Sequence, residues 1–257
     1  MPRFHLLPDD PAPVLLHHPE RRAAALLVCD HASNAVPACL AGLGLSAEEL
    51  GRHIGWDIGA AAVTRRLADA LDVPAVLAGY SRLVIDCNRD PGEATSIPET
   101  SDGVAVPGNR ELALQERLAR REAIFAPYHA AIDGAIAALI GRGAAPALVA
   151  IHSFTPVMGG KARPWHVGIL WDRDPRIPVP LLETLRADRA LVVGDNEPYS
   201  AREPSGYTVR HHAVTRGLPH VAIELRQDLV GAEAGAASWA ARLAAALAPI
   251  VAQAVRA

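Results

Sequence analysis

Four short apolar runs in this chain end in residues that carry chemistry. Leu26-Leu27-Val28-Cys29 runs into Asp30-His31, and Leu148-Val149-Ala150-Ile151 into His152-Ser153. Leu83-Val84-Ile85 is followed by Asp86-Cys87-Asn88-Arg89, and Val221-Ala222-Ile223 by Glu224-Leu225-Arg226. In open α/β sheets, ligands gather beyond the carboxyl ends of strands, so these tips are expected to meet at one rim. A single histidine after a strand is most often a hydrogen-bonded loop residue. Two of them, with carboxylates and arginines to match, point to a site.

The donor types suit a catalytic zinc, which takes three protein ligands and keeps a fourth position open. His31 and His152 supply nitrogen, and Asp57 in Gly55-Trp56-Asp57-Ile58-Gly59 is the third candidate. Asp57 reads equally well as the N-cap of the amphipathic segment that follows it. Nitrogen and oxygen donors also suit other divalent ions. Hydrolysis of an amide needs in addition a base that takes a proton from water and returns it to the departing nitrogen. Glu224 fits that role; its alternative is a salt bridge to Arg226 or another arginine at the rim. Arg82, Asn88 and Arg89 suggest the substrate side, because guanidinium groups grip carboxylates through paired hydrogen bonds and stabilise developing oxyanions.

The elements that must position these groups follow from patterning. Strands are expected at Ala24–Cys29, Ala75–Ala78, Leu83–Cys87, Ala147–Ile151, Val167–Trp171, Leu191–Val193 and His220–Leu225. Most are continuous apolar runs, as in strands buried on both faces of a mainly parallel sheet. Helices are expected at Asp57–Leu71, Asn109–Phe125, Pro127–Ile140, Pro180–Ala190, Tyr207–Arg216 and Ala234–Val255, with Pro127 interrupting or kinking the helical region around it. The alternation predicts a three-layer α/β/α domain spanning residues 1–257. Long loops fall at 89–107, 154–164 and 196–206.

As an ordered set, several segments resemble the N-formylglutamate amidohydrolase family. They are Asp30-His31-Ala32-Ser33-Asn34, Trp56-Asp57-Ile58-Gly59, Ser81 to Arg89, Ile151-His152-Ser153-Phe154, Asn196-Glu197-Pro198-Tyr199, Gly206-Tyr207-Thr208 and Ile223 to Leu229. The resemblance implies a phosphorylase/hydrolase-like fold akin to zinc carboxypeptidases, one zinc on His31, Asp57 and His152, and Glu224 as general base. It implies that Asp86 holds the far nitrogen of His31, that Asn88 and Arg89 bind the α-carboxylate, and that Arg82 faces the scissile carbonyl. Tyr207 and His212 are expected to line the pocket, with packing roles as the alternative, and Arg226 to meet a side-chain carboxylate. The substrate is then a small N-acyl amino acid such as N-formylglutamate. A peptidoglycan amidase or carboxypeptidase on the same scaffold, and a non-catalytic binder of acidic metabolites, are the alternatives. The segment Asp30-His31-Ala32-Ser33 departs from the Pro-His-Ser-Gly of better-characterised members, which implies a divergent branch.

Bulk properties narrow the classes. A net charge of −3 and the lack of a basic cluster argue against a nucleic-acid partner. The apolar stretch at 236–257 is interrupted by Arg242 and Gln253, so no membrane partner is expected. Prolines, Asp9 and Asp10 at the start leave no hydrophobic signal core, and three cysteines without paired spacing suit a reducing cytoplasm.

Overall fold

The computed structural model describes residues 4–143, 145–203 and 206–256. Its strands are β1 (Val14–His17), β2 (Ala25–Cys29), β3 (Ala75–Ala78), β4 (Thr100–Ser101), β5 (Val104–Ala105) and β6 (Ala147–Phe154). They continue with β7 (Val157–Met158), β8 (Lys161–Ala162), β9 (Val167–Leu170), β10 (Val193–Asp195) and β11 (His220–Arg226). The α-helices are α1 (Ala47–Gly51), α2 (Ala60–Leu71), α3 (Leu114–Arg120), α4 (Ala126–Ile140), α5 (Pro178–Arg186), α6 (Thr208–His212), α7 (Gln227–Val230) and α8 (Glu233–Ala254).

Seven strands form one sheet in the order β1-β3-β2-β6-β11-β9-β10. The central strands β3, β2, β6 and β11 run parallel. β1 is antiparallel to β3, β9 is antiparallel to β11, and β10 runs parallel to β9. Every residue of β2 and β6 is buried, as the apolar runs Ala25–Cys29 and Ala147–Ile151 require of strands covered on both faces. Side chains alternate between the two faces. Leu27, Val149, Ile151 and Ile223 pack in one core with Leu67 of α2, Leu181 of α5 and Leu243 of α8. Leu26, Val28, Leu148 and Ala150 pack in the other with Tyr128, Ile132 and Ile136 of α4. Each such leucine or isoleucine contributes roughly 1.5–3 kcal/mol by leaving water. The sheet is therefore mixed and mostly parallel, with helices on both faces.

Some elements differ from the sequence expectation. Leu83–Cys87 is buried but is a chain of turns, not a strand. Its backbone groups bond to Ser81, Ser96, Asn109 and Arg120 instead of to a neighbouring strand. The edge strand β1, Val14-Leu15-Leu16-His17, lies outside the expected strands, because three apolar residues make too short a run to mark one. The first long helix starts at Ala60, three residues after Asp57, with Gly59 in the left-handed region at φ 83. A side chain at Gly59 would collide with the carbonyl of Val230. Pro127 does break the α-helical ladder: a π-helical segment, Arg121–Phe125, joins α3 to α4 and the rod continues to Ile140. A wider turn absorbs the missing donor without ending the helix.

Two helical stretches, Leu114–Ile140 and Glu233–Ala254, the second containing the interruption at Arg242, are long and apolar enough to cross a bilayer by length and composition alone. Each lays a face on the sheet: α8 buries Trp239, Leu243 and Leu247, and α4 buries Tyr128, Ile132 and Ile136.

Candidate metal centre

The parallel strands β2, β6 and β11 deliver their C-terminal residues to the α4 face of the sheet. Asp30 continues the parity of Leu26 and Val28, His152 that of Leu148 and Ala150, and Glu224 that of Ala222. Asp57 arrives from the loop before α2. Its backbone N–H donates to the His31 carbonyl at 3.0 Å, which ties that loop to the tip of β2.

The three donors converge. Asp57 Oδ2 lies 3.2 Å from His31 Nδ1 and 2.9 Å from His152 Nδ1, and it accepts from the Ser153 backbone N–H at 3.3 Å. One donor atom from each of His31, Asp57 and His152 lies within 4.8 Å of the others, and all three residues are buried. Each ring is braced from behind. His31 Nε2 is 2.7 Å from Asp86 Oδ1, and His152 Nε2 is 3.2 Å from Asp30 Oδ2. The Asp86 carboxylate accepts from the N–H on Nε2 of His31 and leaves its Nδ1 lone pair facing inward, which is how protein carboxylates orient imidazoles toward an ion. Asp30 instead stands behind His152 at ion-pair distance, and its Oδ2 accepts no hydrogen bond among the described residues. Two imidazoles and a carboxylate with an open side fit a divalent cation, and this trio could hold one.

Asp30 was not singled out by the sequence reading, although it directly precedes His31 at the end of a buried run. Its side chain is held by Tyr128 Oη at 2.9 Å and Thr208 Oγ1 at 2.6 Å, both donating to Oδ1. Arg82 bridges Asp57 and Asp86, donating to Oδ1 of the first at 3.4 Å and Oδ2 of the second at 2.9 Å. Asp86 also accepts from the Asn88 backbone N–H at 2.8 Å, so it sits at the centre of a clamp.

Charges respond accordingly. Burial disfavours the cation of His152, but Asp30 and Asp57 outweigh it and raise its pKa well above the ordinary value. For His31, burial and Arg82 are likewise outweighed by Asp86 and Asp57. Asp57 and Asp86 stay below the usual carboxylate range despite burial, held there by His31 and His152 and by Arg82 and His31 respectively. Glu224 behaves differently. Burial pushes its carboxyl up to about 7, against the charge of His152 and with that of Asp57. Its Oε2 is buried without a hydrogen-bond partner among the described residues. A carboxyl poised near neutrality beside an ion site is suited to taking and returning a proton.

These groups open into a cavity of about 740 Å³. Its lining includes His31, Asp57, Arg82, Asp86, Asn88, Arg89, His152 and Glu224, with Tyr199, Trp171, Arg202 and Arg210 farther out. Three other sequence candidates lie elsewhere. Tyr207 packs on Phe125, His129 and His211, and His212 lies in a buried chain between His129 and Asp133, so both take the packing alternative. Arg226 forks onto Asp228 at 2.8 and 3.2 Å, because the chain turns into α7 directly after it. Asn88 reaches the cavity, but its side-chain oxygen accepts the backbone N–H groups of Tyr207 and Thr208 at 2.8 and 3.0 Å. Only its NH2 is left to meet a ligand.

Tyr199, part of the Asn196–Tyr199 segment that carries the family resemblance but given no role there, also lines the cavity. Arg163 donates to its hydroxyl at 3.0 Å and lies over its ring. The loop comes close because Gly168 and Gly194 have no side chain; a Cβ at either would strike Glu197.

Comparisons with known proteins identify the family and the fold. The sequence matches the N-formylglutamate amidohydrolase family over residues 23–231. The chain belongs to that family. Gene product Atu2144 from Agrobacterium tumefaciens is 36% identical, with a TM-score of 0.90 over 94% of this chain and 95% of its own. The N-formylglutamate amidohydrolase from Ralstonia eutropha JMP134 shares the fold at 22% identity, with a TM-score of 0.70 over 95% of this chain and 99% of its own. No curated protein matches in sequence. The chain is thus a hydrolase of the N-formylglutamate amidohydrolase type, on that family's mixed, mostly parallel sheet.

Proposed function

We propose that this family member is a zinc-dependent amidohydrolase that cleaves the N-acyl bond of a small N-acyl amino acid, N-formylglutamate or a close relative. The observation that carries this is the convergence of His31 Nδ1, His152 Nδ1 and Asp57 Oδ2 in one cavity with Glu224. Glu224 stands opposite His152, and its Oε2 has no partner among the described residues. Zinc, when held by His31, Asp57 and His152, supplies a Lewis acid that acidifies water and polarises the acyl carbonyl.

The chain's own residues do the rest. Glu224 takes the proton of the attacking water and hands it to the nitrogen that leaves, so that the carboxylic acid and the free amine depart. Arg82, steered by Asp57 and Asp86, donates to the oxygen on which charge develops. Arg89 and the NH2 of Asn88 take the α-carboxylate. One sheet carries every one of these groups or the loops that hold them, in keeping with a single domain over the whole chain. Cys29, Cys39 and Cys87 are free thiols, which supports a reducing, cytoplasmic setting.

A second reading has one observation in its favour. A cavity of about 740 Å³ exceeds what formylglutamate needs, which favours a longer acyl group or a short peptide. Both readings meet the same test. The purified chain is assayed for bound metal and then offered N-formyl and N-acetyl amino acids beside short peptides. The expected result is one stoichiometric zinc at this centre and release of formate with an acidic amino acid preferred. A metal-loaded chain that turned over peptides and no N-acyl amino acid would replace the first reading with the second.

A further inference from the structure

At the far edge of the sheet a second group of ligand-type side chains repeats the wiring of the interior centre. β1 ends at His17, which pairs with Ala75. Consecutive side chains of an extended chain point to opposite faces. Here His18 has φ 51, and this left-handed turn swings its ring to the same side as that of His17, with 4.1 Å between ring centroids. Both rings then meet the last turn of α2. His17 Nε2 lies 2.9 Å and His18 Nε2 3.0 Å from the same oxygen, Asp69 Oδ1. The corresponding separations at Asp57 Oδ2 are 3.2 and 2.9 Å. Donors around a four-coordinate ion with bonds near 2.0–2.2 Å stand roughly 3.3 Å apart, so a small opening of either cluster admits one.

The proton count points the same way. His18 Nδ1 is 3.3 Å from Glu20 Oε1, so this ring has a carboxylate at each nitrogen. A neutral imidazole carries one N–H, and one of those contacts then sets lone pair against lone pair. A cation on Nε2 removes the conflict and lets Nδ1–H donate to Glu20, as Asp86 receives His31. Arg21 NH1 also stands 3.5 Å from Asp69 Oδ1, but its closer partners are the Ala68 carbonyl at 2.8 Å and Asp72 at 3.0 Å. It therefore stays in place if Asp69 turns to an ion.

We propose that His17, His18 and Asp69 form a second metal site, for a first-row divalent ion of the zinc, nickel or cobalt type, that ties the edge strand to the C-terminal turn of α2. Imidazole donors select such ions over calcium and magnesium. The side chains are half-exposed, so water completes the coordination.

The test counts ions on the full chain under saturating zinc, by equilibrium dialysis and elemental analysis. The unaltered protein is expected to hold two ions per chain. H17A/H18A should hold one with its hydrolysis unchanged, and H31A/H152A should hold one and lose hydrolysis. Zinc should raise the Tm of H31A/H152A, and adding D69N to that variant should weaken the remaining binding at least tenfold. D69N keeps the size of the side chain and serves if the histidine pair cannot be replaced without misfolding. Equal zinc in H17A/H18A and in the unaltered protein would overturn the proposal. So would an H31A/H152A chain that binds none, which would leave the cluster an ion pair of protonated histidines.

Discussion

Glu224 stands directly opposite His152 in the register of two adjacent parallel strands, β11 and β6. The spacing between this imidazole of the candidate metal trio and the carboxyl beside it is therefore set by the ladder of the sheet. Loop motion does not alter it, which is what a proton-transfer site needs.

Replacement of that carboxyl separates chemistry from binding. Glu224→Gln keeps the shape and removes the proton acceptor, so kcat is expected to fall about 10²–10⁴-fold, the usual share of a general base. Bound zinc should stay at the unaltered level. Steady-state kinetics beside metal analysis decides it, and a variant within tenfold of normal turnover would remove Glu224 from the mechanism.

Asp30 and Asp86 lie behind His152 and His31, so they would act on a bound ion only through those rings. Asp30→Asn and Asp86→Asn should each weaken zinc about 10–100-fold, the range seen when such braces are removed. Competition with a chromophoric chelator measures this. Asp30→Asn with unaltered affinity would mean that the Tyr128–Asp30–Thr208 group serves packing alone.

Arg89 is expected to act on substrate affinity. Loss of a hydrogen bond to a charged group costs roughly 1.5–3 kcal/mol, so Arg89→Ala should raise KM by about one to two orders of magnitude with a smaller change in kcat. An unchanged KM for an N-acyl amino acid would send the α-carboxylate elsewhere, with Arg202 and Arg210 next to be tested.

Stability should also depend on pH through His129, away from the site. Its Nε2 donates to the Cys87 carbonyl at 2.9 Å and its Nδ1 is 2.7 Å from His212 Nε2. Burial lowers its pKa from 6.5 to about 4. The unfolded chain thus binds the proton more readily than the folded one between those values. Stability from this group is complete above about pH 6.5 and is lost as pH falls toward 4, by roughly 3 kcal/mol at most. Urea unfolding at pH 7 and pH 5 should show a smaller loss for His129→Gln than for the unaltered chain. Parallel losses would exclude His129 as the source.

What could be read in the sequence were features that short spacing encodes. The tips of β2, β6 and β11 carry His31, His152 and Glu224 because a buried run followed by polar residues is legible locally. Leu83–Cys87 misled for the same reason: continuity of apolar residues reports burial, and these residues bury themselves while their backbone bonds to side chains of Asn109 and Arg120. The position of Arg226 could not be read either, since its partner Asp228 lies beyond a turn that only the start of α7 defines. β1 exists because β3 offers it a partner, and four residues of moderate burial do not announce such an edge.

The anchoring of Tyr199 by Arg163 joins the two outer walls of the cavity, the hairpin of β7 and β8 and the loop after β10, to each other. Neither wall contains His31, Asp57 or His152, or the carboxylates behind the two rings. Lengthening or trimming these walls changes what is admitted while the cutting apparatus stays as it is.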